Sequence, residues 1–148
     1  MRKKFPRPTH YRVRNPEKYI GDVNNVIVRS SWERKFCIWA DMNRNVLKWA
    51  SEETVVPYIS PVDNRPHRYF VDFMIQVRNK FGEMKTYAIE IKPSSQTLPP
   101  TGKRNTKRLL EEHATYAVNQ AKWEAADAFF KRKGIEFLVL TEKELGIK

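Results

Sequence analysis

A chain of 148 residues, 41% hydrophobic and 30% charged, carries enough apolar material for one core in one domain. It has no apolar run of about 18 residues, which excludes a helical membrane span. The basic start Met1-Arg2-Lys3-Lys4-Phe5-Pro6-Arg7-Pro8 is not followed by the apolar stretch of a signal peptide. The 28 Lys and Arg against 17 Asp and Glu leave a net charge of +11, which points to a polyanionic partner.

Residues 1–29 hold prolines at 6, 8 and 16 and six basic residues between Met1 and Arg14, with no acid among them. They read as a basic, largely irregular N-terminal arm. Lys3, Lys4 and Arg7 are its expected phosphate contacts. A helix is expected to begin at Ser30 or Ser31, because Ser30 and Glu33 have capping-box spacing. Trp32, Phe36 and Trp39 then follow at i, i+4 and i+7, predicting an aromatic stripe on the core. On this reading alone Glu33 is a capping acid. Cys37, the one cysteine, lies among these aromatics and reads as core packing; it permits no internal disulfide and fits a reducing compartment.

Thr54–Ile59 reads as a strand, with Pro57 favouring a sheet edge, and Pro61–Pro66 as a loop. His67–Val77 reads as one strong strand. Asn79–Gly82 is a turn, and Lys85–Lys92 is the hairpin partner, closed by Pro93. Residues 94–105 form a long loop with Pro99, Pro100 and Gly102, a length often tied to function. Lys103, Arg104, Lys107 and Arg108 make a second basic knot and a second expected DNA contact. A helix is expected over about 107–133, in one or two pieces, with Val118, Ala121, Ala125, Ala128 and Phe129 on its apolar face and Gly134 ending it. Ile135–Leu140 reads as a buried strand and Glu142–Leu145 as a terminal turn. The order predicts an α/β fold with a mixed β-sheet flanked by helices.

The chemistry resides in charged residues within apolar strands. Glu90 and Lys92, two apart, share one face of a strand. The hairpin turn brings Asp72 across to Glu90. Two carboxylates that meet there repel unless a cation lies between them. Mg²⁺ is the hard, oxygen-seeking ion suited to such a site. It polarises a phosphate oxygen and lowers the pKa of an attacking water, and Lys92 can stabilise the pentavalent charge. The competing reading is an ion pair of Lys92 with Asp72 or Glu90 on a solvated sheet face. His10 and His113 have no partners at zinc-ligand spacing. His67 reads as a structural or DNA-contact residue. No glycine-rich phosphate loop is present.

Glu33, Val71-Asp72 and Glu90-Ile91-Lys92 resemble the PD-(D/E)xK nuclease superfamily, in its TnsA-like branch. The alanine-rich helix and Gly134-Ile135-Glu136-Phe137-Leu138-Val139-Leu140-Thr141-Glu142 are similar to that branch too. Pro6–Tyr11, Ser30–Phe36 and His67–Phe73 resemble the head completion nucleases of T-even-like bacteriophages. The resemblance implies a restriction-endonuclease-like core over 30–148. It implies a Mg²⁺-dependent DNA endonuclease, with exonuclease action open and Mn²⁺ as a possible substitute. By it, Asp72, Glu90 and Glu33 are metal ligands and Lys92 is the catalytic lysine. Val71 stands where the family has proline. Gln120 matches an additional glutamine of some such nucleases, or is a solvated helix position. The implied partners are double-stranded DNA and head, portal or connector proteins, with no membrane. The implied setting is the host cytoplasm during assembly, or the virion. The alternatives are a non-catalytic basic connector protein and a junction-resolving or transposon-end nuclease of the same fold.

Overall fold

The structure, a computed structural model, describes residues 7–102 and 106–146. In chain order the elements are β1 (Thr9–His10), β2 (Ile27–Val28), α1 (Ser31–Met42), β3 (Val46–Ser51), β4 (Val55–Ile59), β5 (Pro66–Phe70), β6 (Phe73–Arg78), β7 (Met84–Ile91), α2 (Lys107–Lys131), β8 (Glu136–Leu140) and α3 (Glu142–Leu145). Single 3₁₀ turns occupy Pro16–Lys18 and Ser94–Thr97.

The central sheet has the order β3-β6-β7-β8. Its first two pairings are antiparallel and β7–β8 is parallel, which makes it the mixed sheet expected. The parallel pair requires a crossover, and α2 with the loop before it supplies one. α1 and the N-terminal segment pack on one face, where Phe36, Cys37, Ala40, Trp49, Phe73, Ile75, Ile89 and Ile91 share a core. On the other face α2 and the β4–β5 hairpin close over Val56, Tyr69, Val71, Ala88, Ala126 and Phe130. The alternation of β7 decides this split: Ile89 and Ile91 face α1, whereas Ala88 and Glu90 lie on the other side.

α1 starts as the Ser30/Glu33 spacing predicts. The Ser30 hydroxyl accepts from the Glu33 amide at 3.1 Å and donates to the Glu33 carboxylate at 3.2 Å. The aromatic stripe is only partly on the core. Phe36 is buried, but Trp39 is 44% exposed, and the buried ridge runs through Phe36, Cys37, Ala40 and Asp41. α2 is one unbroken helix capped by Thr106. Its buried ridge is Asn119, Ala126 and Phe130, and Ala128 is exposed instead of facing the core. Gly134, at φ 71°, turns the chain out of the helix into β8.

Two expectations need correction. The first is the single strand over His67–Val77. The chain leaves one sheet at Phe70 and joins another at Phe73. β5 pairs with β4, while β6 is inserted between β3 and β7. The crossover residues are held from β3's end: the Val71 amide donates to Thr54 O and the Glu52 amide to Asp72 O, each at 3.1 Å.

The second is the irregular arm over 1–29. Residues 1–6, with Lys3 and Lys4, lie outside the described residues, but 7–29 are integral to the first core. β1 pairs with β2. Tyr11, Tyr19, Val26 and Val28 are buried, and Tyr19 meets Trp49 edge-on with ring centroids 4.8 Å apart. Asp41 on α1 ties the segment down. Its carboxylate accepts from the Tyr11 hydroxyl at 2.7 Å, the Arg14 amide at 2.8 Å and the Asn15 amide at 3.0 Å. Lys18 caps the end of α1 by donating to the carbonyls of Ala40, Asp41 and Asn43. No packing break therefore marks the expected boundary at residues 29 and 30.

Candidate active site

The crossover between β5 and β6 carries Asp72, and the last turns of the β7 ladder carry Glu90. The register Phe73↔Ile89 continues back to place Asp72 opposite Glu90. Asp72 Oδ2 accepts from the Ile91 amide at 2.8 Å, so the carboxylate lies against the end of β7. Burial pushes the Asp72 carboxyl well above its usual range, and the Glu90 carboxylate beside it pushes in the same direction. Glu33 adds a smaller push, so its charge also reaches the pair.

Glu90 is 6% exposed and held at both oxygens. The Tyr69 hydroxyl donates to Oε2 at 2.6 Å, and Lys92 Nζ lies 3.6 Å from Oε1. Burial and the neighbouring Glu90 raise the Tyr69 pKa, so the phenol stays protonated and donates. The Lys92 amide donates to Leu140 O at 2.9 Å, which extends the parallel ladder to the lysine itself. Immediately after it, Ser94 is anchored to Glu142 at the start of α3, through its amide at 2.9 Å and through its hydroxyl.

Asp72, Glu90 and Lys92 are thus brought together as the hairpin reading predicts. Glu33 remains the Ser30 capping partner, half-buried, with its pKa raised by burial and by Glu52. Among the described residues no three His, Cys, Asp or Glu side chains are grouped closely enough to enclose a cation. His67 is engaged elsewhere, with Asp63 at 2.7 Å. Gln120 is half-buried on α2 and has no hydrogen-bond partner among the described residues. Arg7, Lys107 and Arg108 are exposed, and Arg108 pairs with Glu112 at 3.2 Å. Lys103 and Arg104 lie outside the described residues.

Three neighbours escaped the sequence reading. Tyr69 was expected as part of the strand over His67–Val77. Its signal was its place three residues before Asp72, on a strand whose other members are exposed. Arg29 and Glu52 form a two-pronged ion pair, Nε to Oε1 and Nη2 to Oε2, both at 3.1 Å. Their separation by 23 residues gave no local pattern to read.

A family model described as TnsA-like endonuclease N terminal matches residues 43–142. The chain belongs to this TnsA-like endonuclease family. It is also 36% identical over 143 residues to the head completion nuclease of Enterobacteria phage T4, an alignment covering 91% of this chain and 93% of that protein. The span matched by the TnsA-like model contains Asp72, Glu90 and Lys92, while Glu33 and Arg29 precede it.

A TnsA-like endonuclease suggests a divalent cation, and the opposed Asp72 and Glu90 offer it two carboxylates. Two acidic side chains face each other at a point where burial disfavours leaving both charged and uncompensated. Ile91 and Tyr69 each occupy one oxygen of the pair, which orients both carboxylates in the manner of outer-shell partners. One or two carboxylates with several waters is the usual setting of Mg²⁺.

Proposed function

We propose that this chain is a Mg²⁺-dependent DNA endonuclease that processes packaged DNA during bacteriophage head completion, before the tail is joined. The observation that carries the reading is the opposed pair Asp72 and Glu90 with Lys92 Nζ 3.6 Å from Glu90. The name of the phage T4 relative supports the biological setting, and the net charge of +11 supports a DNA substrate. Head, portal or connector proteins are the partners this setting implies, in the host cytoplasm during assembly.

Asp72 and Glu90 hold the cation, which supplies Lewis-acid polarisation of the phosphate and a lowered pKa for the attacking water. Lys92 is tethered to Glu90 and balances the extra negative charge that gathers on the phosphoryl oxygens. Glu33 acts from the rim of the pair, accepting a hydrogen bond from water. Arg7, Lys107 and Arg108, with the basic residues beyond the described segments, bind flanking phosphates without reading bases.

Supercoiled plasmid tests this directly. Wild-type protein with Mg²⁺ nicks or linearises it, Mn²⁺ substitutes for Mg²⁺, and EDTA abolishes the activity. Asp72→Ala and Glu90→Ala abolish cleavage, and Lys92→Ala lowers it by at least about 10²-fold. Equal activity in all four proteins would refute the assignment.

A further inference from the structure

Arg29 lies between β2 and the Ser30 cap of α1, so its backbone is fixed on both sides. Its guanidinium fork grips the Glu52 carboxylate, yet its side chain is 53% exposed. Two of its roughly five N–H groups are used, and the rest have no protein acceptor among the described residues. The charges of Glu33 and Asp72 reach it along with that of Glu52. It therefore belongs to the same electrostatic neighbourhood as the Asp72–Glu90 pair.

Glu52 is held in an unusual way. Its φ is 53°, in the left-handed region, and its amide donates to the carbonyl of Asp72 at 3.1 Å. A left-handed residue with a side chain is strained. A partly exposed ion pair returns little stability. Stability alone does not account for a glutamate there. The geometry makes sense if the carboxylate aims Arg29, because Glu52 is attached by its own backbone to the peptide that carries Asp72.

The charge balance leads the same way. Glu33, Glu52, Asp72 and Glu90 put four acidic charges within electrostatic reach of one another near the proposed cutting centre, where a DNA phosphate would have to arrive. Lys92 is already paired with Glu90. Lys122 lies over the Tyr69 ring, whereas Arg29 is tied through Glu52 to the Asp72 peptide, and a guanidinium fork matches phosphate oxygens as well as it matches a carboxylate.

We propose that Arg29 is a substrate-contacting residue of the cleavage reaction, gripping a phosphate of the strand being cut, and that Glu52 is the positioning residue that holds its fork toward the site. The proposal rests on Asp72 and Glu90 being the cutting centre.

The test uses the full chain with Arg29→Ala, Arg29→Lys, Glu52→Ala and the double variant Arg29→Ala/Glu52→Ala. Plasmid nicking with Mg²⁺ is followed alongside binding of a short labelled duplex in EDTA over a salt series. Arg29→Ala is expected to lose about 10²-fold in kcat/KM, and the double variant to be as defective. Glu52→Ala, which keeps the guanidinium, is expected to lose no more than about 10-fold, mainly in kcat. The slope of log Kd against log salt should fall by about 0.9 in both proteins lacking Arg29 and stay unchanged in Glu52→Ala.

If Arg29 served only to neutralise Glu52, the double variant would recover to the level of Glu52→Ala with an unaltered salt slope, and the proposal would be overturned. Should Arg29→Ala fail to fold, Arg29→Lys retains charge and ion pairing. It is expected to lose at least about 10-fold because one ammonium cannot reproduce the fork, and full activity overturns the proposal. A wild-type protein that binds DNA but never nicks it would defeat the nuclease assignment, while the salt slopes would still decide whether Arg29 meets a phosphate.

Discussion

The Tyr69 hydroxyl donates a 2.6 Å hydrogen bond to Oε2 of Glu90, joining the hairpin β4–β5 to the central sheet at the candidate metal site. Tyr69→Phe removes that donor and little else. Outer-shell partners of metal ligands are worth about 10- to 100-fold in affinity or activity. Nicking by the variant should therefore need at least about 10-fold more Mg²⁺ to reach half its maximum. A titration of rate against Mg²⁺ concentration checks this, and an unchanged midpoint would deny Tyr69 an orienting role.

Asp72 offers a prediction with a definite sign. Its pKa is raised in the folded, metal-free chain by burial first and by Glu90 second. Below about pH 4 folded and unfolded chains both carry the proton, and the penalty is absent. As pH rises toward the folded pKa the penalty grows, so metal-free stability from this group is lost. At pH 8 in EDTA, Asp72→Asn should melt higher than wild type by about 2–4 °C, the shift for each kcal/mol gained. Adding Mg²⁺ should raise the wild-type melting temperature, more at pH 8 than at pH 5, and leave Asp72→Asn unmoved.

Asp41 behaves in the opposite sense. Burial alone would raise its carboxyl, but the amides of Arg14 and Asn15 and the Tyr11 hydroxyl outweigh burial and hold it below the usual range. Its contribution is present above about pH 4 and disappears as pH falls through the folded pKa. Asp41→Asn should cost about 2 kcal/mol near neutral pH, the scale of hydrogen bonds to a charged group. The gap between wild type and variant should close on acidification from about pH 5 to pH 3. Urea unfolding at several pH values measures it, and a constant gap would contradict the assignment.

The Ser94–Glu142 link makes a kinetic prediction. Glu142 is held below the usual carboxylate range by the Ser94 hydroxyl and then the Ser94 amide. This link fixes the chain two residues beyond Lys92. Glu142→Ala should lower kcat by about 10-fold through loss of lysine positioning, an effect of the size expected when a catalytic group is slightly misplaced. KM for plasmid and Mg²⁺ should stay near wild type. Single-turnover rates separate the two, and a change confined to KM would show that the loop serves binding instead.

Much of the site was legible because its signals are local. Ser30 and Glu33 are three apart, Glu90 and Lys92 two apart, and a short turn joins the strands that oppose Asp72 to Glu90. The break at Val71-Asp72 was not legible, because Tyr69, Phe70, Val71 and Phe73 all favour strand and nothing local marks a change of sheet. The true partners of residues 7–29 were hidden for a related reason. Prolines and basic residues suggested an arm, whereas Asp41 and Trp49, far along the chain, hold it in place. Arg29 and Glu52 were missed because an ion pair across 23 residues leaves no periodic trace.

The change of sheet at Val71-Asp72 also limits when this endonuclease can act. Asp72 reaches its place after β5 has paired with β4 and β6 has entered the central sheet, while Glu90 needs β7 in register and Tyr69 needs the hairpin docked. The β4–β5 and β6–β7 pairings are local hairpins, but β6 against β3 and β7 against β8 join strands distant in sequence and so form late relative to local structure. An unfolded chain already carries the net charge of +11 that draws a polyanion, but not the assembled Asp72, Glu90 and Lys92 cluster. Catalysis is in this way its own folding sensor: the chain becomes dangerous to a genome only once all the parts that aim it are in place.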